Sequence, residues 1–230
     1  MIDIDWTLIR DTLPLLARGG LLTLEITAAA VALGMLLGMA LAVAAISPLL
    51  PLRWLAMLYV NVFRLIPLVM ILAWFYLVVP QVVSNLLGLK PDTDIRLISA
   101  VTAFVIFEAA FYAEIFRAGL NSIPRTQGKA ALALGMTRGQ ALRLVLLPQA
   151  FRNMTPILLT QSIIIFQDSS LVYLLGLGDF FRHATNIGKT NGYYPGMVLF
   201  AGAVYFVVCF LASQTVDWLK RRVTVRKARA

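Results

Sequence analysis

Three charged side chains stand inside long apolar runs of the sequence, namely Arg64, Glu108 and Asp168. A charge at the centre of a lipid bilayer costs about 2.5–3.5 kcal/mol on insertion scales, so such a group must face protein or water rather than lipid. Each of the three is therefore a candidate for binding a charged solute, for moving a proton, or for joining two helices through an ion pair.

The segment around Asp168 is too polar to face lipid. Gln161 precedes Asp168 by seven residues, Gln167 stands next to it, and Ser169 and Ser170 follow. Residues seven apart on a helix project from the same face, so Gln161 and Asp168 are expected to line one cavity. In that cavity Asp168 would meet the ammonium group of a substrate and Gln167 its carboxylate. The alternative is a network of hydrogen bonds between helices.

Arg64 precedes Pro67, a residue that can break a helix and free backbone carbonyls. Two roles are open for Arg64. It would either attract the carboxylate of an acidic substrate, or pair with Glu108 or a carbonyl and so hold helices together. A proton relay through Glu108 is a further alternative. Glu114 and Arg117 are three residues apart, and we expect them to form an ordinary local pair on one helix.

The sequence does not contain a recognisable catalytic or metal-binding pattern. It has one cysteine, Cys209, and one histidine, His183, and it lacks the G-x-S-x-G and H-E-x-x-H motifs. Gly188-Lys189-Thr190 suggests a phosphate loop, but His183 occupies the position of that motif's first glycine. We therefore expect no catalysis, no metal site and no cofactor in this chain, and any energy that it uses must come from a partner or a gradient.

The elements that position these residues are expected to be membrane-spanning helices. The chain has 230 residues, of which 60% are hydrophobic and 13% charged, whereas soluble domains have about 45–50% apolar and about 25% charged residues. Backbone polar groups cannot stay unpaired in lipid, so apolar runs of about 20 residues form helices. The sequence predicts an all-α polytopic membrane protein with five transmembrane helices, near residues 21–46, 55–79, 97–116, 156–178 and 197–217.

The positive charges indicate the orientation. Of the 20 Lys and Arg residues, thirteen fall on one side of the predicted spans, six on the other, and Arg64 within a span. Because cytoplasmic loops carry the excess of positive charge, residues 1–20 should form a periplasmic segment. The connection 117–152 and the basic tail 218–230 should be cytoplasmic. This arrangement explains the net charge of +9 without a nucleic-acid partner.

The connection 117–152 should form two short helices. Pro124 is suited to a helix start, and Gly135 can adopt the left-handed conformation that ends a helix. Thr137 and Gln140 have the spacing of a capping box, so a second helix should follow at once and run to Pro148.

The surface of this hairpin allows two interpretations. Ala130 and Ala131 would let another protein's backbone approach closely, and Lys129, Arg138 and Arg143 surround them with positive charge. The hairpin could therefore dock a partner protein, or it could lie as an amphipathic element on lipid headgroups.

The same residues resemble the EAA loop of bacterial ABC importer permeases, whose pattern is E-A-A-x3-G-x9-I-x-L-P. Lys129 stands where the pattern has Glu, and Val145 where it has Ile. The loop that the resemblance assigns as the coupling loop comprises Lys129, Ala130, Ala131, Leu134, Gly135, Met136, Thr137, Leu147 and Pro148.

Further stretches resemble the polar amino acid permeases within this family. Residues 63–68 resemble its F-R-G-T-P-L motif, residues 113–119 its A-E-x-x-R-G-G motif, and residues 167–171 its K-D-T-S-L motif. Residues 59–70, 94–100, 132–137 and 166–173 are similar to permease subunits of glutamate/aspartate importers.

This resemblance implies a type I ABC transporter permease fold in a bacterial inner membrane. It implies a multi-pass permease subunit of an ATP-driven importer of polar amino acids, with glutamate and aspartate as the expected substrates. The implied partners are a cytoplasmic ATPase dimer that binds ATP and Mg, a second permease subunit and a periplasmic amino-acid-binding protein. The second permease subunit would be a different chain or a second copy of this one.

Two rival functions stay open at this point. A secondary transporter would run on an ion gradient through Glu108 and Asp168, although five spans without a clear inverted repeat speak against it. A purely structural permease half would lack a substrate site of its own. In the importer interpretation, the candidate pathway residues are Arg64, Glu108, Gln161, Gln167, Asp168, Ser169 and Ser170.

Overall fold

The structure, a computed structural model, describes residues 4–82 and 94–228, with side chains up to Lys220. Lys90, which contributed to the predicted charge asymmetry, lies outside the described residues. The main helices, numbered here in chain order, are α1 (Trp6–Ala45), α2 (Leu50–Leu65), α3 (Leu68–Leu77), α4 (Arg96–Asn121), α5 (Arg125–Ala133), α6 (Arg138–Gln140), α7 (Leu147–Asp168), α8 (Phe180–Asn191) and α9 (Tyr194–Ala228). A π-helical turn (Ala141–Leu146) precedes α7, and a 3-10 helix (Ser169–Leu175) follows it.

The described residues contain four helical segments long and apolar enough to cross a membrane, at Trp6–Ala45, Arg96–Asn121, Arg138–Leu175 and Tyr194–Lys220. A pair of helices, Leu50–Leu65 and Leu68–Val82, passes the same test together but is bent by 100°, as in a broken span or a re-entrant loop. The bend falls at Ile66 and Pro67, where the proline cannot continue the hydrogen bonding of α2. The helical membrane fold is therefore confirmed for the described residues, with four candidate spans, or five if the bent pair is one span.

The first helix begins earlier than the sequence predicted. Residues 1–20 were expected to lie outside the spans, but α1 starts at Trp6, where the Asp5 carboxylate caps it by accepting from the backbone N–H groups of Thr7 and Leu8. The prediction placed the start after Arg18. The structure shows this charge on the exposed side of a continuous 40-residue helix.

The predicted helix end at Pro148 is wrong. The chain continues from α6 through the π-helical turn into α7 without leaving helical conformation. Pro148 lies in the first turn of α7, where its missing N–H group removes little, so the proline does not end the helix. The helical segment that contains the fourth candidate span therefore starts at Arg138, well before residue 156.

The core is organised around α4, which contacts α1, α2, α3 and α7. A stripe of small residues on α1, including Ala30, Gly34 and Gly38, lets the backbones of α1 and α4 approach closely. A Cβ atom added at Gly38 would lie 2.6 Å from the Cβ of Tyr112 and 2.9 Å from the carbonyl oxygen of Ala109. Close helix contact in this core therefore depends on glycine.

An amphipathic helix, α8, was missed by the sequence prediction, which treated this region as a connection. Its N-terminus is capped by Asp179, and Gly192 ends it in the left-handed region at φ 79°. Its apolar face packs between the beginnings of α1 and α9 in a second core cluster, formed by Ile9, Leu16, Ala184, Ile187, Met197 and Ala201. This end of the bundle lies opposite the α5–α6 hairpin.

Candidate functional site

A polar cluster lies in the core between α4 and α7. The side-chain amide of Gln161 donates a hydrogen bond of 2.9 Å to Oε2 of Glu108. The hydroxyl groups of Tyr112 and Ser162 form a second contact between these helices at 3.3 Å. Glu108 and Tyr112 are fully buried, so both polar contacts stand in apolar surroundings. Such contacts specify how α4 and α7 are aligned.

Glu108 keeps one oxygen, Oε1, without a hydrogen-bond partner in the described part of the chain. Asp168 lies close enough for its carboxyl group to interact electrostatically with Glu108. The structure therefore places Gln161 against Glu108 and Asp168 within electrostatic range of Glu108, while a cavity lined by Gln161 and Asp168 stays a prediction. Two carboxyl groups and an amide in one region can stabilise a positively charged group between them.

The remaining polar residues of this segment point elsewhere. Gln167 is exposed and lines a small cavity beside α9, where it interacts with Cys209. Ser169 is buried and donates to the carbonyl oxygen of Phe166, and Ser170 is partly buried in the 3-10 helix. The expectation that one substrate contacts both Asp168 and Gln167 stays a prediction.

Arg64 ends α2 directly before the bend. Its Nη1 lies 3.8 Å from Oε2 of Glu114, and its guanidinium group lies 5.8 Å from the ring centre of Phe111. The expected pairing with Glu108 is wrong, because Glu108 lies six residues earlier on α4, about 9 Å away along the helix. Arg117 donates to Glu114 at 3.0 Å, so the predicted local pair is present within a larger charged group.

This charged group borders a cavity of about 270 Å³ between α1, α2 and α4. The cavity was missed, because Glu114 and Arg117 were interpreted only as a local pair. The available signal was Arg64 and Glu114, two opposite charges within predicted spans. The lining residues are Ala42, Ala45, Met57, Val60, Asn61, Ala113, Glu114 and Arg117.

The hairpin of α5 and α6 lies beyond the end of α4, at the same end as this cavity. Gly135 has φ 81°, and Thr137 and Gln140 form both hydrogen bonds of the predicted capping box. Ala131 is buried against the hairpin, whereas Lys129, Ala130 and Gly135 are exposed. Leu134 at the corner is 80% exposed. The corner is therefore a rigid apolar projection surrounded by positive charge.

Metal-binding groups are not found among residues 4–82 and 94–228, where no three His, Cys, Asp or Glu side chains come together. His183 lies on α8 and Cys209 on α9, at different depths of the bundle.

The chain matches the family model of the "Binding-protein-dependent transport system inner membrane component" over residues 30–225. It is 57% identical over 222 residues to the "Glutamate/aspartate import permease protein GltK" of Escherichia coli, covering 96% of this chain and 99% of the relative. It is 34% identical to the "Arginine transport system permease protein ArtQ" of Bacillus subtilis, covering 92% of this chain and 94% of the relative.

Solved structures show the same fold. A crystal structure of an amino acid ABC transporter with histidines superposes with a TM-score of 0.85 at 30% identity, covering 96% of this chain and 99% of the matched chain. The inward-facing MetNI methionine ABC transporter superposes with a TM-score of 0.74 at 22% identity, which supports the fold alone.

Proposed function

The chain belongs to the family of binding-protein-dependent transport system inner membrane components, and on that premise we propose that it is a permease subunit of an ATP-driven importer of glutamate and aspartate. It forms part of the translocation pathway in a bacterial inner membrane and catalyses no reaction of its own. The substrate assignment is supported by the relative that shares 57% of its residues and carries that name.

The exposed corner at Gly135 is the observation that carries this function. It has the register of the EAA loop, it stands clear of the bundle, and its apolar Leu134 has no cover within the described chain. An exposed large apolar side chain on a rigid projection is suited to a groove in a partner protein. We assign that groove to a cytoplasmic ATPase dimer, which binds ATP and Mg, so the hairpin end of the bundle faces the cytoplasm.

The orientation follows from the same assignment. The hairpin carries Lys129, Arg138 and Arg143, and the positive-inside rule places such a segment in the cytoplasm. The opposite end, with α8 and the start of α4, then faces the periplasm and the amino-acid-binding protein. A second permease subunit, a different chain or a second copy, completes the pathway.

Within the pathway, Glu108, Gln161 and Asp168 provide the site for the substrate's ammonium group. Glu108 offers an unpaired buried oxygen, and Asp168 adds a second carboxyl group. Arg64, Glu114 and Arg117 lie nearer the hairpin, where they join the bent second span to α4. Motion of the hairpin reaches this charged group through the end of α4.

The experiment that tests this function uses the complete complex, purified with its co-expressed ATPase and partner permease and reconstituted into proteoliposomes. We expect uptake of labelled glutamate only with ATP and the loaded binding protein. Mutation of the ATPase's P-loop lysine should abolish uptake. Uptake that persists in that variant would contradict the proposal and favour a transporter driven by an ion gradient.

A matched pair of glycine variants tests coupling through the corner. A Cβ atom would meet open space at both Gly135 and Gly139, but only Gly135 has a positive φ. Gly135→Ala strains the corner, because left-handed backbone costs an L-residue roughly 1–2 kcal/mol. It should lower glutamate uptake per ATP hydrolysed, whereas Gly139→Ala should not. Equal effects of the two variants would count against coupling at this corner.

A further inference from the structure

Two arginine side chains converge on Gly176, at the end of the bundle opposite the hairpin. Nη1 of Arg96 donates to the carbonyl oxygen of Gly176 at 3.3 Å, and Nη1 of Arg182 donates to that of Tyr173 at 3.0 Å. A Cβ atom built at Gly176 would lie 3.2 Å from Nη1 of Arg96 and 3.8 Å from Nη2 of Arg182. The two guanidinium groups therefore share one small space.

The two arginines differ in their counter-ions. Asp94 binds Arg96 with both oxygens, at 2.9 Å to Nε and 2.7 Å to Nη2. The Arg96 guanidinium lowers the pKa of Asp94 to about 2. Within the described residues, no carboxylate forms an ion pair with Arg182. The nearby Asp179 is buried and interacts with Arg182 electrostatically, and its carboxylate caps α8 by accepting from the N–H of Phe181. The Arg96 guanidinium thus binds an exposed carboxylate, whereas the Arg182 guanidinium has N–H groups that do not donate to a carboxylate in the described residues.

The position of the pair relates it to the pathway. Arg96 begins α4, the helix that carries Glu108 twelve residues further on, about 18 Å along the axis. Gly176 ends the 3-10 helix that continues from Asp168. The two guanidinium groups are therefore joined to the buried cluster through α4 and the 3-10 helix, and they lie nearer this end of the bundle.

We propose that the space between Arg96 and Arg182 binds a carboxylate of the incoming acidic amino acid, and that Asp94 occupies Arg96 until this carboxylate displaces it. The inference rests on the proposed function. A planar guanidinium group binds a carboxylate through two parallel hydrogen bonds, as Asp94 already shows. Both members of the Asp94–Arg96 pair are about half exposed, and exposed pairs contribute little stability, so the exchange costs little.

A purely structural role for these arginines is the competing explanation, since both donate to carbonyl groups at the end of the 3-10 helix. The two explanations differ in the sign of one effect. If Asp94 competes with substrate, Asp94→Asn strengthens glutamate binding, whereas Arg182→Gln weakens it. If the cluster only holds the turn together, both variants loosen it, and neither strengthens binding.

The test measures binding of labelled glutamate to the purified complex without binding protein, together with the melting temperature of each variant. We expect Arg182→Gln to raise the Kd for glutamate about tenfold, because the variant loses one charge-assisted contact with the carboxylate. Asp94→Asn should lower the Kd about threefold. Lys189→Gln is the control, because Lys189 is an exposed cation at the same end of the bundle. Its Nζ lies over the ring of Tyr194, 5.4 Å from the ring centre. It should leave the Kd unchanged.

Several results would overturn the inference. These are a weaker affinity in Asp94→Asn, an unchanged affinity in Arg182→Gln, or an equal effect of Lys189→Gln. If the wild-type complex binds glutamate and imports it while the variants are unaffected, only this inference fails. If the wild-type complex neither binds glutamate nor responds to a loaded binding protein, the proposed function fails and the inference with it.

Discussion

Glu108 on α4 accepts a hydrogen bond of 2.9 Å from the side-chain amide of Gln161 on α7, in a core where Glu108 has no exposed surface. This contact joins two membrane-spanning helices far apart in the chain. This carboxyl group has one oxygen paired across the two helices, and its other oxygen has no hydrogen-bond partner among the described residues.

Removal of the amide should destabilise the bundle. Gln161→Leu leaves Glu108 buried without its partner, which costs about 1–3 kcal/mol. Gln167→Leu on the same helix is the matched control, because Gln167 is exposed. Thermal unfolding of the purified complex should show a lower melting temperature for the first variant only. Similar melting temperatures for the two variants would show that the contact between Gln161 and Glu108 does not stabilise the bundle.

Glu108→Gln separates the two roles of Glu108. The amide oxygen of the new side chain can still accept from Gln161, so the melting temperature should stay the same or rise. Loss of the charge should lower ATP-dependent glutamate uptake by about tenfold, the effect of one charge-assisted hydrogen bond. Unchanged uptake would mean that this subunit supplies no ammonium site and acts as a structural half of the permease.

Close packing of α1 against α4 should depend on Gly38. In Gly38→Ala the added methyl group meets the Tyr112 side chain and the backbone of Ala109, and such overpacking costs about 1–3 kcal/mol. Gly202→Ala on α9 is the control, since a Cβ atom there has no neighbour within 4 Å. The first variant should reduce the amount of folded protein in the membrane and its melting temperature. If both variants match the wild type, the helices are not in the close contact described.

Features set by residues near each other in the sequence were predicted better than contacts between distant residues. Gly135 and the Thr137–Gln140 cap were predicted correctly, because helix ends obey rules that involve only a few neighbouring residues. The partner of Arg64 was wrong, because it depends on how α2 crosses α4 before the bend. Pro148 was interpreted as a helix end, but the chain stays helical from the π-helical turn before Pro148 into α7.

Asp179 should make stability depend on pH. Burial is the main cause that raises its pKa to about 6, against partial compensation by the N–H of Phe181. The folded state therefore binds this proton more tightly than the unfolded state, and stability falls as the pH rises from about 4 through about 6. Burial lowers the pKa of His183, which contributes in the opposite direction.

The variant Asp179→Asn isolates this contribution, because asparagine is an equally good N-cap and His183 is present in both proteins. We expect the variant to be more stable than the wild type at pH 7.5 by about 1–3 kcal/mol, and this advantage to shrink as the pH falls and to vanish only below about pH 4. Melting temperatures across this range provide the measurement. A difference that is the same at every pH would show that Asp179 does not titrate as described.

Site-specific cross-linking at the hairpin corner tests the central claim most directly. Cys209 is the only cysteine in the sequence, so its replacement by serine allows a single new cysteine to be placed at Ala130 or, as a control, at Asn186 on α8. With a bifunctional thiol reagent on the assembled complex, Ala130→Cys should cross-link to the ATPase subunit, with a yield that changes when ATP is added. Asn186→Cys should not cross-link to the ATPase. A cross-link from Asn186 but none from Ala130, or labelling of Ala130→Cys by a membrane-impermeant reagent from the periplasmic side, would contradict the account.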